Sequence, residues 1–142
     1  MTELKKVPQL TEILQKYWED KKGNANFPAA ADIDGTEIES IWQNCYLVEV
    51  IEGGAKFMYE YLGDSIVEAC GNDLEGTFIV DDLIYPETPE ATAKLREVVK
   101  DHQPLVYDGA FINHQNQDIK FRKILLPLGA GNTVNYVLGG MI

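Results

Sequence analysis

The stretch CYLVEVIEGGAKFMYEYL, residues 45–62, decides the fold. Residues 45–51 are rich in the β-branched and aromatic side chains that favour strands. Residues 55–62 alternate, with three aromatic side chains on one face and a mixed set on the other. The link at residues 52–54 is short and contains two glycines. These features predict an antiparallel β-hairpin.

Two helices are predicted before the hairpin. An apolar stripe with spacings of three and four residues indicates an amphipathic helix over residues 8–22. Asp34 and Glu37 have the spacing of a capping box, and Ile33 and Ile38 that of a hydrophobic staple, so a second helix is predicted to begin at Asp34. The stripe of the first helix consists of Leu10, Ile13, Leu14, Tyr17 and Trp18.

Helices and then strands follow the hairpin. A short helix is predicted over residues 64–70 and a longer one from Thr88 to about Asp101. Three strands are predicted at residues 105–113, 118–128 and 133–139. Five antiparallel strands cannot bury their apolar face alone, so helices must cover the sheet. The sequence therefore predicts an α+β fold, a five-stranded antiparallel sheet covered by helices.

Length and charge limit the partners of the chain. Its 142 residues, 45% of them hydrophobic, amount to one domain that can bury a core. There are 12 Lys and Arg against 23 Asp and Glu, which gives a net charge of −11. A chain this acidic repels phosphate backbones and anionic lipid surfaces, so neither a nucleic-acid nor a membrane partner is expected.

Cysteine usage and the lack of long apolar runs indicate a compartment. No run approaches the roughly 20 apolar residues of a membrane span, and the first eight residues lack the apolar core of a signal peptide. Cys45 and Cys70 form neither a CxxC pair nor a disulfide framework. A cytoplasmic protein with reduced thiols is expected. No metal site is expected, because the adjacent Asp81 and Asp82 point apart and no His or Cys completes a ligand set.

Several motifs, in their order along the chain, resemble a PAS domain, and most closely the standalone PAS family found mostly in alphaproteobacteria. The resemblance runs from about Leu10 to Met141, and it implies a single PAS-like domain over residues 1–142, with an N-terminal helix at 8–22 and a PAS core at 34–142. The matching residues are Trp18, Pro28, Asp32-Ile33-Asp34, Gly53-Gly54, Leu62-Gly63-Asp64, Gly71-Asn72-Asp73-Leu74-Glu75-Gly76, Arg122 and Leu126-Pro127-Leu128.

This resemblance implies a non-enzymatic bacterial signalling module that senses a small ligand, binds another protein, or does both. The domain occupies all 142 residues, so we expect it to act in trans on a partner. PAS domains often form homodimers through an N-terminal helix and the outer face of the sheet. The five residues of the apolar stripe are therefore the predicted dimer interface, since they would form an exposed apolar patch if the helix were undocked.

PAS domains as a class often hold a small molecule between the helices and the inner face of the sheet. The resemblance does not name a cofactor, and a core filled by aromatic packing is the alternative to a ligand cavity. The residues predicted to line a pocket are Phe57, Tyr59, Tyr61, Phe78, Tyr107, Phe111 and Arg122.

Two cofactor-binding alternatives each depend on a marker residue. His102 lies on the apolar face of the long helix, from which haem-binding PAS domains take their proximal ligand, although a histidine in a last helical turn also suits the helix dipole. Flavin photosensors of this class need a reactive cysteine in a Gly-x-Asn-Cys-Arg-Phe motif. Asn44-Cys45-Tyr46 lacks the flanking residues, so flavin photochemistry is not expected.

A small enzyme is the third alternative. The cone-shaped ketosteroid-isomerase-like α+β fold also places a curved sheet over helices, and its enzymes use an Asp base in an apolar pocket. Asp108, in an otherwise apolar strand, would be that base. In that fold the main helices usually precede most strands, whereas here a hairpin precedes the helical run, so this alternative ranks behind a PAS domain.

Overall fold

The computed structural model describes residues 9–79, 89–113 and 115–142. The predicted start of the long helix at Thr88, and the pair Asp81-Asp82, lie outside these ranges. The helices are α1 (Leu10–Lys22), α2 (Glu39–Trp42), α3 (Asp64–Cys70) and α4 (Pro89–Asp101), and the strands are β1 (Cys45–Ile51), β2 (Lys56–Leu62), β3 (Leu105–Ile112), β4 (Asp118–Ala130) and β5 (Thr133–Met141). Short 3-10 turns occupy Ala30–Asp32, Gly35–Ile38 and Glu52–Gly54.

The five strands form one antiparallel sheet in the order β2-β1-β5-β4-β3. Strand β5 is therefore central, and β2 and β3 lie at the edges. Helix α1 packs on β4 and β5 on one face, called the outer face here. Helices α3 and α4 cover the opposite, inner face. The predicted α+β class and the five-stranded antiparallel sheet are confirmed.

Two consecutive glycines in the central strand let both faces of the sheet be covered closely. A Cβ atom on Gly139 would collide with the ring of Tyr46 on the inner face. A Cβ atom on Gly140 would come within 2.8 Å of the side chains of Leu10 and Leu14 on the outer face. Only glycine, which lacks a Cβ atom, can be accommodated at these distances, and α1 therefore packs directly on the backbone of β5.

The C-terminal half of α1 is fixed to β4 by a buried hydrogen bond. Trp18 Nε1 donates to the carbonyl oxygen of Pro127 at 2.8 Å. The pairing of β4 with β3 ends at Leu125, so Pro127, two residues further on, does not interrupt the hydrogen bonds between these strands. Two residues further on, the Gly129 amide donates to the carbonyl of Pro28. The chain after α1 thus satisfies polar groups of β4 where β3 no longer reaches.

The apolar stripe of α1 is used within the chain's own fold. Three of its members, Leu10, Leu14 and Trp18, are buried at 5% exposure or less, and Ile13 and Tyr17 are partly buried against the same core. A dimer interface made of these five residues would require α1 to leave the sheet.

The predicted capping box at Asp34 is wrong. Asp34 Oδ1 accepts from the Thr36 amide and hydroxyl and begins the 3-10 turn that leads into α2. The Glu37 carboxylate turns away from Asp34 and accepts from the Tyr17 hydroxyl at 2.8 Å and from Lys21. The Tyr17 oxygen in turn accepts from the Asp34 amide. Residues of α1 have therefore taken the partners that a capping box would use.

The expected alternation of β2 is broken by a bulge. Val48 pairs with Tyr59 and Leu47 pairs with Tyr61, which leaves Glu60 as an extra residue on β2. Tyr61 is moved to the outer face, where its ring stacks on Trp42 at 5.0 Å between centroids. The prediction that Tyr61 shares a face with Phe57 and Tyr59 is wrong for this reason.

The hydrogen bond from Trp18 to Pro127 gives a stability prediction. Trp18→Phe keeps an aromatic ring but leaves the buried Pro127 carbonyl without its donor. We expect the free energy of unfolding to fall by about 2 kcal/mol. Urea denaturation measures the change. The control is Lys16→Ala on the same helix, whose side chain is 79% exposed. Equal stability of Trp18→Phe and the wild-type chain would contradict the assigned role of this bond.

Candidate functional site

The inner face of the sheet brings together four of the predicted pocket residues. Phe57 and Tyr59 come from β2, and Tyr107 and Phe111 come from β3. The rings of Tyr107 and Phe111 each lie 5.9 Å from the ring of Phe121, which belongs to the same face of β4. The four residues thus share one face, but they belong to strands at opposite edges of the sheet, and of the four Tyr59 and Phe111 line the cavity beside α3.

The cavity between this face and α3 is very small. Its volume is about 10 Å³, so it has room for one water molecule at most. Side chains of the sheet and of α3 fill the space among themselves. The lining residues are Tyr46, Tyr59, Ile66, Cys70, Phe111, Lys123 and Met141.

One lining residue, Lys123, is a lysine that the sequence analysis missed. It is 6% exposed, and its ammonium nitrogen lies 4.6 Å from the ring centre of Phe121 and 5.9 Å from that of Tyr46. Aromatic faces attract a cation at these distances. The alternation of β4 was the available indication, because Lys123 lies two residues from both Phe121 and Leu125 and so shares their face.

A larger groove lies between β2 and α4. Its volume is about 310 Å³, at the lower end of the range for small-molecule sites. Two predicted pocket residues line it, namely Phe78, which is 49% exposed, and Phe57, which is 1% exposed. The groove is lined by Ala55, Lys56, Phe57, Phe78, Ile79, Thr92 and Arg96.

Arg122 lies away from the other predicted pocket residues. It is on the outer face of β4, where Nε donates to Asp108 Oδ1 at 2.7 Å and Nη2 donates to Oδ2 at 3.2 Å. A third nitrogen, Nη1, donates to Gln9 just before α1. The pair with Arg122 lowers the pKa of the Asp108 carboxyl below its ordinary value. Asp108 is thus an exposed, ionised carboxylate, whereas the predicted enzymatic base needs an apolar pocket.

His102 lies just after the last residue of α4. Its backbone has a positive φ of 58°, and its amide donates to the Val98 carbonyl to close the helix. The imidazole packs edge-to-face on Phe27 at 5.5 Å between ring centres. His102 does not line the inner-face cavity described above.

The two cysteines lie on opposite sides of the sheet. Cys45 lies buried on the outer face of the sheet and donates a weak hydrogen bond to the Ile41 carbonyl. Burial raises the pKa of its thiol to about 12. Cys70 lines the inner-face cavity. In the part of the chain that the structure describes, no three His, Cys, Asp or Glu side chains are close enough to share a metal ion. Nor does any helix in those ranges have the length and apolarity needed to cross a bilayer.

The sequence places this chain in a known class of sensory domain. The family whose sequence profile matches it is described as PAS domain, and the match covers residues 6–142. The chain belongs to the PAS domain family. No curated protein sequence matches it at a significant level.

Solved structures of LOV domains share the fold. The LOV protein of Rhodobacter sphaeroides is 14% identical with a TM-score of 0.54, over 69% of this chain and 57% of that one. A Light-Oxygen-Voltage domain studied with a flavin analogue is 15% identical with a TM-score of 0.58, over 75% of this chain and 81% of that one. The light state of the Aureochrome1 LOV photoreceptor is 12% identical with a TM-score of 0.55, over 78% of this chain and 87% of that one.

At these identities the likeness concerns the fold. It excludes the ketosteroid-isomerase-like alternative, since the sheet order and the hairpin before the helical run are those of a PAS domain. The cavity of about 10 Å³ is far too small for a three-ring cofactor, and the Cys45 thiol points to the other face of the sheet.

The ion pair between Asp108 and Arg122 gives a prediction on pH. Because the folded-state pKa of Asp108 is lowered, the pair stabilises the fold above the unfolded-state pKa, and this contribution is lost as the pH falls through the folded-state pKa. In a carboxyl ¹³C NMR titration, Asp108 should titrate below its ordinary value of 3.8.

The matched variants identify the cause of this shift. Arg122→Gln should return the Asp108 pKa towards its ordinary value. Lys120→Gln removes another cation from the same strand and should leave the Asp108 pKa close to its wild-type value. An Asp108 carboxyl that titrates at or above its ordinary value in the wild-type chain would contradict the assigned effect of the ion pair.

Proposed function

We propose that this chain is a non-enzymatic PAS signalling module that responds to a small ligand and acts in trans through contact with a second protein surface. Membership of the PAS family supports a sensory role. The observation that carries the contact role is an apolar patch left uncovered on the outer face of the sheet.

The patch consists of Val106, Ile112 and Ile142, which are 46%, 45% and 63% exposed. Val106 and Ile112 lie on the outer face of β3, two residues before and four residues after Asp108. Ile142 joins them through backbone hydrogen bonds to Arg122 in both directions. The patch thus surrounds the Asp108–Arg122 ion pair, an arrangement of apolar and charged groups that suits protein contact.

We infer that the partner on this patch is a second copy of the chain. Strand β3 is an edge of the sheet. Among the described residues, β4 is its single strand partner. A two-fold axis near the edge would bring the patch against itself, and each copy contributes both an acidic and a basic residue. This moves the expected homodimer interface from the stripe of α1, which is docked, to the patch on β3.

The non-enzymatic role is supported by the state of Asp108, since a carboxylate held ionised by an arginine is a weak general base. Both cysteines are free thiols and buried, which favours a reducing compartment such as the bacterial cytoplasm. The alphaproteobacterial distribution stays a prediction.

The interface is tested by introducing positive charges into the apolar patch. Val106→Lys combined with Ile112→Lys should convert a dimer into a monomer in sedimentation velocity, with an unchanged far-UV circular dichroism spectrum. Phe78→Lys is the matched control, because Phe78 is equally exposed but lies beside β2 at the other edge of the sheet. A dimer that persists in the double variant, or a wild-type chain that stays monomeric at high concentration, would contradict this interface.

A further inference from the structure

We propose that the groove between β2 and α4 binds an amphipathic organic anion, a carboxylate or sulfonate attached to a flat apolar ring. Lys56 and Arg96 would bind the charged end, and the half-exposed ring of Phe78 would contact the ligand ring. This inference rests on the proposed function, because the anion would be the small ligand to which the module responds.

The floor of the groove is apolar and held in place by backbone hydrogen bonds. The Ile79 amide donates to the Phe57 carbonyl, and the Tyr59 amide donates to the Thr77 carbonyl. Residues 77–79 therefore run along the edge of β2 as a short added strand, with Phe78 bridged to Met58. The half-exposed ring of Phe78 is fixed at the rim, so a flat ligand finds its apolar surface already in position.

Two cations border this apolar floor. Lys56 Nζ lies 5.7 Å from the ring centre of Phe78, and the guanidinium carbon of Arg96 lies 5.7 Å from that of Phe57. Arg96 Nε donates to the Gly54 carbonyl at 3.1 Å, which fixes the plane of the guanidinium. The two terminal nitrogens of that group keep their donor capacity for a bidentate anion.

Neither charge is neutralised by an acidic side chain of the described residues. The ion pairs found there join other cations, among them Lys21 with Glu37 and Arg122 with Asp108. In a chain with a net charge of −11, two cations that line one groove with no carboxylate among its described lining residues are a local exception. A cationic ligand is disfavoured there, and a small inorganic anion would leave the exposed ring of Phe78 unused.

The groove also has the space that the cavity beside α3 lacks. It offers about 310 Å³, whereas the cavity around Tyr46 and Tyr59 offers about 10 Å³. Lys56 and Phe57 belong to the edge strand β2, which pairs with β1, and β1 in turn pairs with the central strand β5. A ligand in the groove would therefore contact the sheet directly.

The probe pair that tests this is 2-naphthoate and its neutral isostere 2-naphthamide, added to the ¹⁵N-labelled wild-type chain. We expect saturable shifts of the backbone amides of Lys56, Phe57, Ile79 and Arg96 with naphthoate. Its affinity should be about tenfold higher than that of the amide, since charge-assisted hydrogen bonds are the stronger ones. Arg96→Gln and Lys56→Gln should each remove most of this difference and leave the affinity for naphthamide unchanged.

The control is Lys120→Gln, which removes an exposed cation from β4 and should change neither affinity. Equal affinities for the two probes, shifts centred outside the groove, or no saturable binding would each overturn the proposal. These outcomes are independent of the sedimentation test on Val106 and Ile112. Loss of the ligand site and loss of the dimer interface can thus be told apart.

Discussion

The close contacts at Gly139 and Gly140 are the constraint on which the rest of the structure depends. Both glycines lie in the central strand β5, and each lacks the Cβ atom that another residue would place on one face of the sheet. Tyr46 occupies the space on the inner face, and Leu14 of α1, together with its neighbour Leu10, occupies the space on the outer face. Once α1 lies against the backbone, Trp18 reaches the Pro127 carbonyl and the following loop completes the polar pairing of β4.

Tight covering of both faces determines where this chain can bind other molecules. The space between the inner face and α3 is filled by aromatic side chains and by Lys123, and the five stripe residues of α1 are buried or partly buried. The two surfaces proposed for binding lie at the two edges of the sheet. One is the groove beside β2 with its two cations, and the other is the apolar patch of β3 around the Asp108–Arg122 pair. A PAS domain of this form would sense a ligand at one edge and contact its partner at the other.

Much of the fold could be predicted because its elements carry strong local patterns. Alternation and turn residues located all five strands to within about two residues, and the spacing of apolar residues located α1. The errors arose where distant parts of the chain meet. The bulge at Glu60 turned Tyr61 outward, and Tyr17 displaced the expected capping partner of Asp34. The face of Arg122 and the placement of Lys56 and Arg96 along one groove depend on strand register and helix docking, which local patterns do not contain.

Hydrogen–deuterium exchange of a Gly140→Val variant tests the central constraint most directly. The added side chain would meet Leu10 and Leu14, so α1 should leave the outer face while the hairpin at residues 45–62 stays paired. The account predicts much faster exchange of the α1 amides, with the protection of the hairpin close to that in the wild type. Unchanged protection of α1 would show that the glycine at this position is not what allows the helix to dock, and would contradict the account.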